Sequence, residues 1–265
     1  MNARTNKSSP SRPLRLADIE RWDMETDLAI VGFGGAGACA AIEAADMGAE
    51  VTVFELASAG GGSTAMSSAE IYMGGNGGAR VQQACGLRDS TEDMYNYLMM
   101  ASGPTADADK TRAYCEGSVD HFNWLVGLGV PYKDSIYDQR ALMALSDDCL
   151  LYTGSEKAWP FVEHAKPCPR GHNLQIEGDN GGPLLFRILT ENMSKRGVKV
   201  IHEARALTLI VDDRQCVHGL VVRIAQQERY AVSYTPLRAH ETVLDLVCRL
   251  LLEKTKIHIA LEHCN

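Results

Sequence analysis

Residues 27–76 read DLAIVGFGGAGACAAIEAADMGAEVTVFELASAGGGSTAMSSAEIYMGGN, and the reading of this stretch decides the fold. Leu28-Ala29-Ile30-Val31 is a short apolar run rich in β-branched residues, which predicts a buried parallel strand. Gly32, Gly34 and Gly37 follow at once and spell G-x-G-x-x-G. Ala38 to Met47 carries small and apolar residues at helical spacing, with Gly48 placed to cap the C-terminus. A second strand, Glu50 to Phe54, runs into the acidic Glu55. Strand, glycine turn, helix, strand and acid together make the context in which a dinucleotide fingerprint has physical meaning.

Each position has a task. Gly32 allows a sharp turn out of the strand, Gly34 lets a pyrophosphate approach the backbone, and Gly37 lets the helix lie close to the strand. The unpaired N–H groups and positive dipole end of the helix then face the phosphates. Glu55 lies about twenty residues beyond the turn, where a carboxylate accepts from ribose hydroxyls. It would repel a 2′-phosphate, which argues against NADP. The plain alternative is a glycine turn that only packs.

Composition bounds the rest. The 265 residues suit one large α/β domain or one domain plus a fragment, and 45% hydrophobic content supports a globular core. A net charge of −8 and a pI near 5.5 exclude a nucleic-acid field. No apolar run is long enough to span a bilayer, and no secretion signal is recognisable, so a cytoplasmic protein is expected. The eight cysteines are scattered without a C-x-x-C pair, which fits reduced thiols better than disulfides or zinc. Cys39 is expected to be a small core residue.

Residues 1–24 are expected to form a mobile tail, with a short helical turn near Leu16 to Glu25. Beyond Glu55, Ala59 to Ser68 is too glycine-rich for regular structure and ends in hydroxyls suited to a pyrophosphate or a flavin edge. Gly74-Gly75-Asn76-Gly77-Gly78 repeats the theme where an NAD domain would usually place a helix. Two glycine loops suit an extended cofactor, so FAD outweighs NAD; a flexible linker is the bland alternative. Helices are predicted from Ser90 or Thr91 and over Ala106 to Gly127, with Tyr114 and Trp124 in the packing. Residues 129–180 read as loop, and His172 reads as a structural histidine or one that bonds loop backbone in preference to a neighbour of the flavin or substrate. A helix over Leu184 to Arg196 follows Pro183, and strands over 198–202, 208–211 and 217–224 make a hairpin-like unit.

The segments GFGGAGACAAIEAADMGAEVTVFE, GGGSTAMSSAEIYMGGN, YCEGSVDHFNWLVGLGVPYK and PRGH at 169–172 resemble the 3-ketosteroid dehydrogenases of the FAD-dependent fumarate reductase/succinate dehydrogenase flavoprotein superfamily. Within that branch the similarity is to the 3-oxo-5α-steroid 4-dehydrogenase group, and it runs from about Asp18 to about Glu228. The resemblance implies an α/β, Rossmann-like FAD/NAD(P)-binding domain, present as its N-terminal portion over residues 25–231 with inserted helices and a small β-hairpin unit. It implies that Gly32, Gly34, Gly35, Ala36 and Gly37 hold the pyrophosphate of FAD and that Glu55 holds the adenosine ribose, flanked by Leu56 and Ala57. Ser63, Thr64, Ala65, Ser67, Gly74 and Gly75 would line the flavin and ribityl portion, and Ala206 would meet the adenine. The chain departs from the family pattern at Ser67-Ser68-Ala69 and at Asn76-Gly77-Gly78.

The resemblance calls next for a strand ending in a glycine-rich segment, a cap or catalytic domain and a returning piece of flavin domain. From about Val232 the chain instead resembles a translated sequencing-library adapter, so residues 232–265 are expected to be non-native and those parts to be missing. No catalytic or metal-binding residue is expected in this chain. The parent implied by the resemblance is an FAD oxidoreductase transferring hydrogen between a C–C bond next to a ketone and the flavin of a small-molecule, steroid-like reaction. The alternatives are a fumarate or enoate reductase of the same superfamily and an inactive FAD-binding fragment.

Overall fold

The computed structural model describes residues 12–139, 144–178, 180–224 and 227–238. In chain order these form β1 (Leu14–Arg15), β2 (Met24–Val31), α1 (Gly35–Asp46), β3 (Val51–Phe54), α2 (Gly62–Ala65), β4 (Ile71–Tyr72), α3 (Arg80–Ala84), α4 (Thr91–Ser102) and α5 (Ala108–Gly127). Then come β5 (Leu150–Leu151), β6 (Gly171–His172), α6 (Gly181–Lys195), β7 (Lys199–Ile201), β8 (Ala204–Val211), β9 (Val217–Ile224) and β10 (Gln227–Arg238). The expected 25–231 domain divides into two compact units, with changes of unit after Gly60 and after Asn192.

The first unit is built on a seven-stranded mixed sheet of order β1-β8-β9-β10-β2-β3-β7. β2 pairs in parallel with β3 and β10, and β3 with β7, while β8, β9 and β10 form an antiparallel meander. Ala29, Phe54, Ala204, Leu220 and Val222 form a buried cluster in this sheet. Helix α1 packs on β2 and β3 through small buried residues, Ala36, Ala38, Ala40 and Ala41, which let it approach closely. It begins at Gly35, three positions before the expected Ala38, because the Ala38 N–H already donates to the Gly34 carbonyl at 3.0 Å. Glycine's weak helix propensity hid that first turn from a propensity reading.

Two expectations need correction. The mobile tail does not extend to residue 24: Leu14–Arg15 pairs in parallel with Ile210 and Val211, and residues 1–11 lie outside the described set. The strand said to be missing after β9 is present, since β10 runs through residue 232 and aligns Ala231–Arg238 with Met24–Val31. Its Tyr, Val and Thr content suits an extended chain filling a gap between two strands. Pro236, opposite Ala29, has no N–H to give to the ladder. Of the tail expected over 232–265, residues 239–265 lie outside the described residues.

The second unit comprises α2 to α5, most of α6 and a small sheet of order β4-β6-β5. Ser90 caps α4 by accepting the Asp93 N–H at 3.0 Å, and Asp107 caps α5 by accepting the Lys110 N–H at 3.1 Å. Residues 129–180 are mostly irregular, as expected, but two-residue strands β5 and β6 emerge, with β6 paired to β4 on one side and to β5 on the other. The Ala59–Ser68 stretch, expected to lack regular structure, contains the single turn α2. Among the described residues no helix is long and apolar enough to cross a membrane.

Candidate functional site

The glycine turn of the first unit is held by backbone bonds that its glycines permit. The Gly32 N–H donates to the Phe54 carbonyl at 2.8 Å, and Gly32 has φ +104°, which disfavours a side chain. A Cβ on Gly37 would collide with the Gly32 carbonyl oxygen, so the third glycine of the motif is dictated by helix–turn contact. Gly34 is the extended N-cap of α1, and Gly35, Ala36 and Gly37 are buried in its first turn.

Glu55 closes this turn from the end of β3. Its Oε2 accepts the Phe33 N–H at 2.7 Å and its Oε1 accepts the Ala57 N–H at 2.8 Å. A carboxylate offers about four acceptor positions, so about two remain for ribose hydroxyls. The β3–β7 edge fixes the residue itself: the Glu55 N–H donates to the Ile201 carbonyl and the Glu55 carbonyl accepts from Ala204, both at 2.8 Å. Leu56 and Ala57 are exposed beside it. Ala206 lies in β8 next to a register shift and packs partly buried against the Ala29–Phe54 cluster. A turn that only glycine can make, next to an acid with spare acceptor capacity, fits the adenosine diphosphate end of FAD.

The expected flavin-lining residues fall in the second unit. The positive φ of Gly61 (+123°) and Gly62 (+49°) leads into α2, which carries Ser63, Thr64 and Ala65. The Ser67 hydroxyl folds back on its own turn, donating to the Thr64 carbonyl at 2.9 Å and accepting the Ala69 N–H at 3.1 Å. Helix α6 starts hard against this turn: a Cβ on Gly181 or Gly182 would meet the carbonyls of Ser68, Ser67 and Thr64.

Gly74 and Gly75 are buried, and their glycine character has internal causes. A Cβ on Gly74 would collide with the Asp89 carboxylate, and Gly75 has φ +74° against Thr91. The loop's amides are engaged by Ser118 (Gly74), Asp89 Oδ2 (Gly75), Thr91 Oγ1 (Asn76), the Asp89 carbonyl (Gly77) and the Gly75 carbonyl (Gly78), at 2.7–3.0 Å. Behind the loop, Arg170 makes a two-pronged contact with Asp89, Nε to Oδ2 and Nη2 to Oδ1, each 2.7 Å. Its Nη1 donates to the Tyr72 hydroxyl at 3.2 Å, which donates to Glu156 at 3.0 Å. Burial, the larger cause, and the nearby Glu156 carboxylate push the Tyr72 phenol far above its ordinary range, against the pull of Arg170.

Sequence reasoning missed this network. It singled out PRGH for its histidine, whereas the charge that organises the loop is Arg170, and nothing in the spacing links it to Asp89 eighty-one positions away. His172 is buried, with Nδ1 2.9 Å from the Arg170 carbonyl and with Phe122 and Tyr132 rings beside it, as the structural reading expected. Burial holds its pKa down to about 4. Tyr114 donates to the Tyr72 carbonyl and Trp124 stacks on His121, so both serve packing as expected. Cys39 is partly buried and its thiol is pushed up to about 12, by burial first and Glu43 second.

Comparison with known proteins follows the same lines. Residues 27–246 match the FAD binding domain family. The 3-oxo-5-alpha-steroid 4-dehydrogenase of Comamonas testosteroni is 30% identical over 197 residues, covering 73% of this chain and 36% of the relative. The solved 3-ketosteroid-delta4-(5alpha)-dehydrogenase of Rhodococcus jostii RHA1, in complex with 4-androstene-3,17-dione, is 41% identical with a TM-score of 0.82 over 86% of this chain and 48% of that one. The NADH:fumarate oxidoreductase of Klebsiella pneumoniae is 33% identical over 206 residues, 78% of this chain and 19% of the relative. The chain therefore spans half or less of the length of these relatives. It belongs to the FAD binding domain family, whose cofactor is FAD.

Proposed function

We propose that this chain is the FAD-binding part of an oxidoreductase of the 3-ketosteroid dehydrogenase type, acting on a steroid-like small molecule. The observation that carries the reading is the 41% identity, across most of this chain, to a dehydrogenase solved with a 3-keto steroid bound. When bound, FAD supplies the hydride chemistry at its N5, against a C–C bond next to a ketone, and the chain supplies binding and orientation.

Within that reading Gly32, Gly34, Gly35, Ala36 and Gly37 take the pyrophosphate, with the first-turn amides of α1 aimed at its charge. Glu55 takes the ribose hydroxyls, with Leu56 and Ala57 beside it, and Ala206 meets the adenine. Ser63, Thr64, Ala65, Ser67, Gly74 and Gly75 are the proposed contacts of the ribityl and flavin portion. No residue of this chain is proposed as catalytic. The scattered free cysteines of the described residues support a cytoplasmic setting.

A fumarate or enoate reductase is the second reading, supported by the Klebsiella pneumoniae relative. Denaturing the purified chain and identifying the released nucleotide tests the cofactor; nicotinamide in place of flavin would overturn it. Adding a 3-keto-5α-steroid to the oxidised flavoprotein and fumarate to the reduced one separates the readings. Bleaching of the flavin band by the steroid supports the first, and reoxidation by fumarate alone supports the second.

A further inference from the structure

We propose that Arg170 and Asp89 are positioning residues for the flavin end of the cofactor, acting by presetting the Gly74–Gly78 loop. This rests on the reading of Gly74 and Gly75 as flavin contacts.

Three observations carry it. Arg170 is wholly buried and the Asp89 side chain 1% exposed, so neither touches a ligand directly. Asp89 holds the loop at three points: its Oδ2 accepts the Gly75 N–H at 2.8 Å, its carbonyl accepts the Gly77 N–H at 2.8 Å, and its carboxylate packs where a Gly74 side chain would be. Arg170 in turn fixes both oxygens of that carboxylate and reaches Tyr72, two residues before Gly74, through Nη1.

The chemistry suits a device for shape more than for stability. A buried ion pair contributes little net stability compared with apolar replacements of equal volume. What it offers is direction: the planar guanidinium locks the carboxylate plane, and so the lone pair that the Gly75 amide must meet. The second buried carboxylate, Glu156, is tied in through the Tyr72 hydroxyl and the Gly154 N–H, so the strand leading into the loop is fixed as well. Asn76 is anchored independently by Thr91 Oγ1 at 3.0 Å.

The test titrates the full chain with FAD and, separately, with ADP, which shares the adenosine and pyrophosphate but lacks the flavin. For the unaltered chain FAD is expected to bind more tightly than ADP. Arg170→Gln is expected to weaken FAD by about tenfold or more while ADP affinity moves less than about twofold, as expected when a bidentate charged contact is lost. The double variant Arg170→Met with Asp89→Leu is expected to regain thermal stability but not the FAD preference, because the Gly75 amide still lacks its acceptor. Thr91→Val, a partly exposed change that spares the ion pair, is expected to lower the FAD-to-ADP ratio by about threefold. Arg170→Lys, which keeps the buried charge but loses the two-pronged contact with Asp89, is expected to lower the ratio as well and decides the matter should the other buried variants fail to fold.

Parallel loss of FAD and ADP, or full recovery of the ratio in the double variant, would assign the pair a purely structural role and overturn the proposal. So would an unchanged ratio in Arg170→Lys. An unaltered chain that binds ADP and FAD equally would instead overturn the placement of the flavin at Gly74 and Gly75, and the proposal with it.

Discussion

The Glu55 carboxylate accepts the Phe33 amide at 2.7 Å, so the acid expected to meet a ribose also ties down the glycine turn that precedes it by twenty-two positions. One side chain thereby links the ends of two neighbouring parallel strands. The turn keeps its shape when the acid is in place, and the acid keeps its orientation when the turn is.

Replacing Glu55 should therefore cost twice. Glu55→Ala is expected to weaken FAD by about 1–3 kcal/mol, the range for losing a charged hydrogen bond, and also to lower the melting temperature because the Phe33 and Ala57 amides lose their acceptor. Glu55→Gln retains one acceptor and should lie between. Calorimetric titration with FAD and thermal unfolding without ligand check the two effects; unchanged flavin content in Glu55→Ala would remove its ribose role.

Gly37 and Gly48 offer a matched comparison. A methyl group at Gly37 meets the Gly32 carbonyl oxygen, whereas one at Gly48 meets nothing within 4 Å and only its φ of +89° resists it. Gly37→Ala should destabilise by about 1–3 kcal/mol or more through overpacking and abolish FAD binding by moving the turn. Gly48→Ala should cost about 1–2 kcal/mol from backbone strain and leave FAD affinity intact. Urea unfolding with parallel FAD titrations separates them.

Two of the Arg–Asp pairs, both two-pronged, differ in burial. Arg170 and Asp89 are excluded from water, while Arg196 and Asp46, paired at 2.7 Å, are 24% and 49% exposed. Removing Arg170 alone leaves a buried carboxylate uncompensated, and Arg170→Met should cost about 3–5 kcal/mol. Arg196→Met should cost under about 1 kcal/mol, with that cost shrinking in high salt. Equal effects in denaturant melts would contradict the burial described.

His172 makes stability depend on pH. Its folded pKa of about 4 lies below the ordinary 6.5, because burial disfavours the charged ring. The unfolded chain therefore binds a proton more readily than the folded one. The contribution is present above pH 6.5 and lost as the pH falls from there towards 4, with His121, also held near 4 by burial, adding to the same window. The full effect of His172 is of the order of 3 kcal/mol. His172→Phe should flatten the stability profile between pH 6.5 and 4 relative to the unaltered chain, measured by urea unfolding at several pH values.

The first unit was readable because its signals are local. Strand, turn, helix and acid follow one another within thirty residues, and the glycine at 37 is required by a contact with Gly32 only five positions away. The second unit was less readable. The strands at Leu150–Leu151 and Gly171–His172 exist because Gly171–His172 finds distant partners on both sides, β4 and β5, and two residues carry no periodicity. β10 was overlooked because its segment resembles foreign sequence, while a sheet selects for extended backbone and an available gap.

The chain's own residues determined the dinucleotide turn and the acid at the end of β3, because short-range sterics and hydrogen bonding set those features. Tertiary structure alone decided why Gly74 and Gly75 are glycines and which side chain of PRGH matters. Asp89 and Arg170 are eighty-one residues apart, and only the fold excludes water from both, which turns a pair of ordinary surface-type charges into the fixed support of a loop.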